Sequence, residues 1–186
     1  MDDIVKQAMA KWPDVPDCYG WLGLDSRGQW FMRDDRVQSL GAFQSGIPGA
    51  KGSVLRHEKL IDFIHRNYAA DEKGQWFFQN GPQRVYVELE QTPYVWRINA
   101  NLEAVAQTGE ISPVLTCSMD EVGHVYLKTL MGFGLVHTMD VGQVAEALAQ
   151  GHWTLAHCDA KALPLQNGFV ISPQAMSTVE GIKKPT

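Results

Sequence analysis

Asp71–Ile98, DEKGQWFFQNGPQRVYVELEQTPYVWRI, decides how the chain is read. It opens on Asp71-Glu72-Lys73-Gly74, a hairpin signal with glycine where the turn needs positive φ. Gln75–Gln79 follows as a dense aromatic strand, and Asn80-Gly81-Pro82 marks a second turn. From Arg84 to Glu90 the residues alternate, with Val85, Val87 and Leu89 on one face and Arg84, Tyr86, Glu88 and Glu90 on the other. That period of two puts antiparallel β structure at the centre of the fold. Pro93 marks an edge or turn before the run closes at Ile98.

Upstream, Val54–Asn67 reads as the best helix. His57, Leu60, Ile61, Ile64 and Tyr68 form a single apolar stripe, with Ser53 as N-cap. Asp34–Ser53 is a long glycine-rich connection, and Cys18–Arg33 a hairpin turning at Asp25-Ser26-Arg27-Gly28. Asp2–Trp12 reads as a short helix stopped by Pro13 and Pro16. Downstream, Asn99–Ser112 reads as loop with a helical turn at Leu102–Ala106. Pro113–Ser118, His124–Leu130 and Gly134–His137 read as strands, the first two joined at Asp120-Glu121-Val122-Gly123. Val141–Gln150 is a second helix, capped by Asp140 and ended by Gly151. Trp153–His157 and Phe169–Ser172 close as strands, and Glu180–Thr186 is a polar, loose end.

The expected fold is α+β: antiparallel β-hairpins forming one or two sheets, with about three helices packed on them. A division within Asn99–Ser112 sets an aromatic-rich helix-plus-hairpin part, 1–98, against a smaller α+β part, 99–186, unless the two run on as one domain. The tetrad D-x-x-G recurs at Asp25, Asp71 and Asp120, 46 and 49 residues apart. A short hairpin loop followed by a strand accounts for this more simply than duplication, because the flanks align poorly. Trp30-Phe31 and Trp76-Phe77-Phe78 point apolar bulk to both faces of their strands. With few helices to cover those faces, a second copy of the chain is a candidate cover.

A net charge of −5 argues against a broad nucleic-acid surface. Cys18, Cys117 and Cys158 are odd in number and far apart, which fits reduced thiols in a cytoplasm. The acidic N-terminus does not read as a signal peptide, and no stretch approaches the ~18 apolar residues of a membrane span.

No motif reaches a named chemistry. Gly46–Ser53 invites comparison with a phosphate loop but places Lys51 before the last glycine, not after it. Lys51 and Arg56 beside a helix start can still hold an anion, although a mobile surface loop is the commoner case. His152, His157 and Cys158 face different sides of a strand, so no metal site is expected, and no cofactor is implied. Cys158 beside His157 diverges in the same way. A nucleophile there would need His57, His65, His124 or His137 from another segment. Glu88 and Glu90 share a face with Arg84 and Tyr86, as an acid/base pair would. A solvated row balanced by Arg97 on the next strand is commoner.

The run from Asn67 to Val87, NYAADEKGQWFFQNGPQRVYV, resembles the signature of an uncharacterised family of proteobacterial proteins, a domain of unknown function. Pro16-Asp17-Cys18-Tyr19-Gly20-Trp21-Leu22 and Ile171-Ser172-Pro173-Gln174 are similar to the same family, so the likeness spans most of the chain. The resemblance implies a bacterial, cytoplasmic protein and carries over no catalytic residue. Two functions remain. One is a module that binds a small molecule or a partner protein through Asn80, Gln83, Arg84, Tyr86, Glu88 and Arg97, with Lys51 and Arg56 as a further anion site. The other is a small hydrolase-like enzyme with a Cys/His site assembled from distant segments.

Overall fold

The computed structural model describes residues 1–182, with side chains described as far as Val179. The chain begins with α1 (Asp3–Lys11), β1 (Cys18–Leu24), β2 (Trp30–Met32), α2 (Asp35–Leu40), β3 (Ser53–Val54) and α3 (Glu58–Arg66). A meander of β4 (Tyr68–Ala70), β5 (Trp76–Asn80) and β6 (Gln83–Leu89) follows. Next come β7 (Tyr94–Ile98), β8 (Ala104–Val105) and β9 (Ile111–Ser112), then β10 (Val114–Met119), β11 (Val125–Thr129) and β12 (Phe133–Val136). The last elements are α4 (Val141–Ala149), β13 (Leu155–His157), α5 (Leu163–Asn167) and α6 (Pro173–Ile182).

Two compact units divide these residues. The first comprises Met1–Asp25, Gln29–Glu90 and the segment from Phe169 on; the second comprises Ser26–Gly28 and Gln91–Gly168. The division thus falls after Glu90, and the C-terminal helix belongs with the N-terminal residues.

In the first unit six strands lie in the order β3-β2-β1-β6-β5-β4, and only the central pair, β1 with β6, is parallel. In the second, seven strands lie in the order β13-β10-β11-β12-β7-β8-β9. There β7 pairs parallel with β12, and β13 adds a second parallel pair at β10. Leaving β13 aside, the two orders are the same. Three antiparallel strands are followed by three more, and the last strand of the second set lies parallel to the first strand of the first. The recurrent turns occupy matching places: Asp25 between β1 and β2, Asp71 between β4 and β5, and Asp120 between β10 and β11. The fourth place, between β7 and β8, holds Asn99-Ala100-Asn101-Leu102. The repeat is therefore one of topology as well as of loop chemistry. It is hidden in sequence because the fourth turn carries neither Asp nor Gly.

Each turn is built in the same way. The side chain of its first residue accepts the N–H four positions on: Gln29 to Asp25 at 2.8 Å, Gln75 to Asp71 at 2.9 Å, Glu103 to Asn99 at 3.0 Å and His124 to Asp120 at 2.8 Å. The fourth residue is left-handed, at φ 78°, 76° and 92° for the three glycines and 57° for Leu102. Leu102 is the one non-glycine residue at positive φ among the described residues.

Several expected elements shift. The helix expected over Val54–Asn67 begins only at Glu58, because Ser53–Val54 pairs with β2 as an edge strand. His57 is its cap rather than part of its stripe; its Nδ1 accepts the Leu60 N–H at 3.2 Å. Asp140 does not cap α4 with its side chain, because that carboxylate is engaged by Arg97 and the Ile98 N–H. The helical turn expected at Leu102–Ala106 is the start of β8. Phe169–Ser172 is not a strand; it leads into α6. Six α-helices form among the described residues instead of about three. The additional α2 and α5, of six and five residues, are too short to show a periodic stripe. The expected loose end overlaps α6, and its last four residues lie outside the described ones.

Candidate functional site

The end of the β5–β6 hairpin divides its residues between two faces. Asn80 pairs with Gln83, and Gln79 with Arg84, so the alternation of the pleat sends the two pairs to opposite sides.

On the side of α3, Asn80 and Gln83 edge an apolar groove of about 240 Å³. Its walls include Leu60 and Ile64 of α3, Phe78 of β5 and Val85 of β6. Trp21 and Met32 also line it and are 41% and 47% exposed, so apolar surface at the groove meets solvent. α3 sits there because its apolar stripe faces the sheet; Phe63 meets Phe78 edge-on, with ring centroids 5.4 Å apart. Gln83 does not swing freely, since its Nε2 donates to the Pro16 carbonyl at 3.0 Å.

On the other side, Tyr86 stacks on Tyr19 with centroids 4.6 Å apart and planes 3° from parallel. The Tyr86 hydroxyl donates to Asp71 at 3.1 Å, and the Arg84 guanidinium lies 4.7 Å from the centre of the Phe77 ring. Burial first, then the neighbouring Tyr86 and Asp17, pushes Tyr19 up to about 12. Both tyrosines therefore act as neutral hydrogen-bonding groups near neutral pH.

The row expected to be solvated is closed over further along the strand. Glu88 is 1% exposed. Its carboxylate accepts from the Ser172 hydroxyl at 2.6 Å, the Gln174 N–H at 2.9 Å and Gln44 Nε2 at 3.4 Å. α6 packs on β1 and β6 and brings Ser172 and Gln174 to it. Glu88 is thus a tie for the first turn of α6, with both carboxylate oxygens engaged. Nor is Arg97 its partner. Arg97 grips Asp140 through Nε at 2.6 Å and Nη2 at 3.0 Å, and that hydrogen bond, outweighing the burial of Asp140, holds its carboxyl below the usual range. Lys51 is tied to Glu90 at 2.7 Å, Arg56 is exposed, and the glycine-rich loop leads to β3 rather than to a helix start. The structure brings together Asn80 with Gln83, and Arg84 with Tyr86; Lys51, Glu88 and Arg97 each have other partners, Glu90, Ser172 and Asp140.

The cysteines are not activated. Burial is the first cause raising all three thiols, Cys117 up to about 11; beside Cys158 the neighbouring Asp120, Glu121 and Asp159 add to it. A nucleophile needs the opposite shift. His65, one of the distant histidines, is held by the Trp30 indole N–H, which donates to its Nε2 at 2.9 Å. His124 lies 3.0 Å from Asp120, whose carboxylate also accepts from Tyr126 at 2.9 Å. Burial opposes ionisation of Asp120, but hydrogen bonds from His124, Tyr126 and Val122 hold its carboxyl low. No group of three or more acidic, His or Cys side chains able to hold a metal occurs among the described residues. Likewise no helix of the described residues is long and apolar enough to cross a membrane.

Sequence reasoning missed the groove itself. The alternation of Val85 and Val87 named one wall, but the exposed Trp21 and Met32 come from the Cys18–Arg33 hairpin, which was not read as a wall of any site.

No curated protein matches the chain. Two solved structures are similar over about two thirds of it. One is a DUF1285 family protein from Silicibacter pomeroyi DSS-3, 10% identical, covering 70% of each chain with a TM-score of 0.48. The other is a DUF1285 family protein from Shewanella baltica OS155, 14% identical, covering 68% of this chain and 91% of that one with a TM-score of 0.45. The family model DUF2944, described as a protein of unknown function (DUF2946), matches residues 1–183, and the chain belongs to that family.

Proposed function

We propose that the protein is a binding module, and that its ligand is an apolar group taken into the groove between α3 and the first sheet. One observation carries this: the groove is open, apolar-walled and rimmed by the exposed Trp21 and Met32, with the amides of Asn80 and Gln83 at its edge. Apolar floor with a few placed polar groups is the general chemistry of a recognition pocket. At about 240 Å³ it is smaller than the ~300–1,000 Å³ of a drug-sized site. It suits one or two side chains of a partner, or a short alkyl segment of a small molecule. Raised thiols and the engagement of the Glu88 carboxylate by Ser172 and Gln174 favour this reading over the hydrolase-like one. The protein acts in a bacterial cytoplasm, a reading supported by three unpaired, separated cysteines. A second copy of the chain is one occupant that the exposed apolar rim would suit.

The test is methyl NMR on Ile-, Leu-, Val- and Met-labelled protein, titrated with sodium octanoate and with short apolar peptides. Saturable shifts confined to Met32, Leu55, Leu60, Ile64 and Val85 are the expected result. Shifts scattered over β7–β13, or none at all, would remove the groove from consideration. Sedimentation of the free protein across concentrations reads the self-association directly.

A further inference from the structure

β3 ends the first sheet, with β2 on one side and no strand on the other among the described residues. Leu55 continues the pairing, since its N–H donates to the Trp30 carbonyl at 2.8 Å. In an antiparallel ladder alternate residues turn their backbone to the partner strand, so the N–H and C=O of Val54 turn outward. We infer that this edge takes an extended segment of another protein, in which apolar and acidic residues alternate, as a further strand beside Val54. The inference rests on the groove reading above and names the partner that the groove receives.

The edge and the groove are continuous. Leu55 prolongs β3 and is also a wall of the groove, and Met32, paired with Ser53, is another. A strand added beside β3 sets its own side chains alternately on the two faces. Those opposite Ser53 and Leu55 lie on the groove side, and these are the apolar ones. Main-chain bonds then supply affinity and the groove supplies selectivity, the general division of labour in strand addition. Ser53 and Val54 are both exposed, and neither is the lysine or proline that commonly blunts a sheet edge.

Charge chooses the partner. The chain as a whole carries −5. Just after β3, however, Arg56 and Lys59 are exposed and held by no ion pair among the described residues, and Glu58 is the one anion of Ser53–Lys59. A second copy would bring its own Arg56 and Lys59 to the same seam, and like charges across a seam are unfavourable. An acidic segment brings their complement.

The full chain would be titrated into a fluorescein-labelled peptide of alternating Leu and Glu, read by anisotropy. A Leu–Lys peptide and a Leu–Glu peptide N-methylated at alternate backbone positions are the controls. The Leu–Glu peptide is expected to bind saturably, more tightly than the Leu–Lys one and less tightly as salt rises. Val54→Pro removes the outward N–H at an edge position where proline is accommodated, and is expected to weaken binding about ten-fold. N-methylation of the peptide tests the same bonds on the unaltered protein and is expected to do likewise. Arg56→Gln is expected to weaken binding about three- to five-fold. Octanoate shifts at Leu60 and Ile64 should survive Val54→Pro. No peptide binding with those shifts intact overturns the strand partner alone; no octanoate shift in the unaltered protein removes the groove with it. Equal binding of the two peptide charges, or full affinity both in Val54→Pro and with the N-methylated peptide, overturns the inference. So does a dimer of the free protein that Val54→Pro dissolves, since the edge would then belong to a second copy.

Discussion

His65 accepts a hydrogen bond from the Trp30 indole, and its burial governs its charge. Burial pulls its pKa below the ordinary 6.5, against a smaller opposite pull from Asp62. The unfolded chain therefore takes up this proton first. The stabilisation is complete above pH 6.5 and is lost as pH falls from there through the folded value. Urea unfolding at pH 7.5 and pH 5.5 should show this loss, and His65→Gln, which keeps an acceptor for Trp30 without a titrating ring, should reduce it. The thiols carry a second expectation at this scale. Cys117, 1% exposed and pushed up to about 11 by burial, should resist iodoacetamide in the folded protein at pH 7.5 and react only on unfolding, as mass spectrometry of quenched samples would show. Glu88 carries a third. Replacing it with alanine strands the Ser172 hydroxyl and the Gln174 N–H, and should cost about 2–4 kcal/mol in chemical denaturation.

At the scale of elements, the turns are the clearest device. Three of the four meet the left-handed requirement with glycine, and the fourth strains Leu102 at φ 57°. A β-carbon in that conformation costs about 1–2 kcal/mol. Leu102→Gly should therefore raise the melting temperature by a few degrees, net of about 0.5–1 kcal/mol of added chain entropy. Gly123→Ala, at φ 92°, should lower it. The same elements show what the sequence discloses. The hairpins at Asp25, Asp71 and Asp120 and the helices α1, α3 and α4 are legible because glycine, proline and apolar spacing are local signals. The fourth turn was illegible because Asn99 and Leu102 carry neither mark. The helix was read as starting at Val54 because Ser53 has the chemistry of an N-cap, a local signal that the pairing of Ser53 and Val54 with Met32 and Phe31 overrides. Glu88 looked solvated because alternation reports which side a residue faces. What covers that side, here Gln44 and Ser172, comes from 44 and 84 residues away. The hairpin end at Asn80–Arg84 was legible as a candidate site for the converse reason: its four site residues lie within one turn and its flanks, though the split between two faces needed the register.

At the scale of the whole chain, one strand order is used twice, and the second unit lies in sequence inside the first. All six strands of the first sheet are encoded before Glu90, yet α6, which ties down Glu88, follows Gly168. A chain ended at Gly168 should keep the first sheet's secondary structure by circular dichroism while losing several kcal/mol of stability by urea titration, since the cover that α6 gives β1 and β6 and the Ser172 and Gln174 bonds to Glu88 go with it. In the cell this is also a matter of timing. A ribosome adding about 5–20 residues per second needs about 4–16 seconds to traverse Gln91–Gly168. Throughout that interval the nascent first sheet stands assembled but unlatched, with β1 and β6 uncovered where α6 will lie. Until its last helix emerges, the newborn protein is a natural client for whatever shelters exposed sheet surface near the exit tunnel.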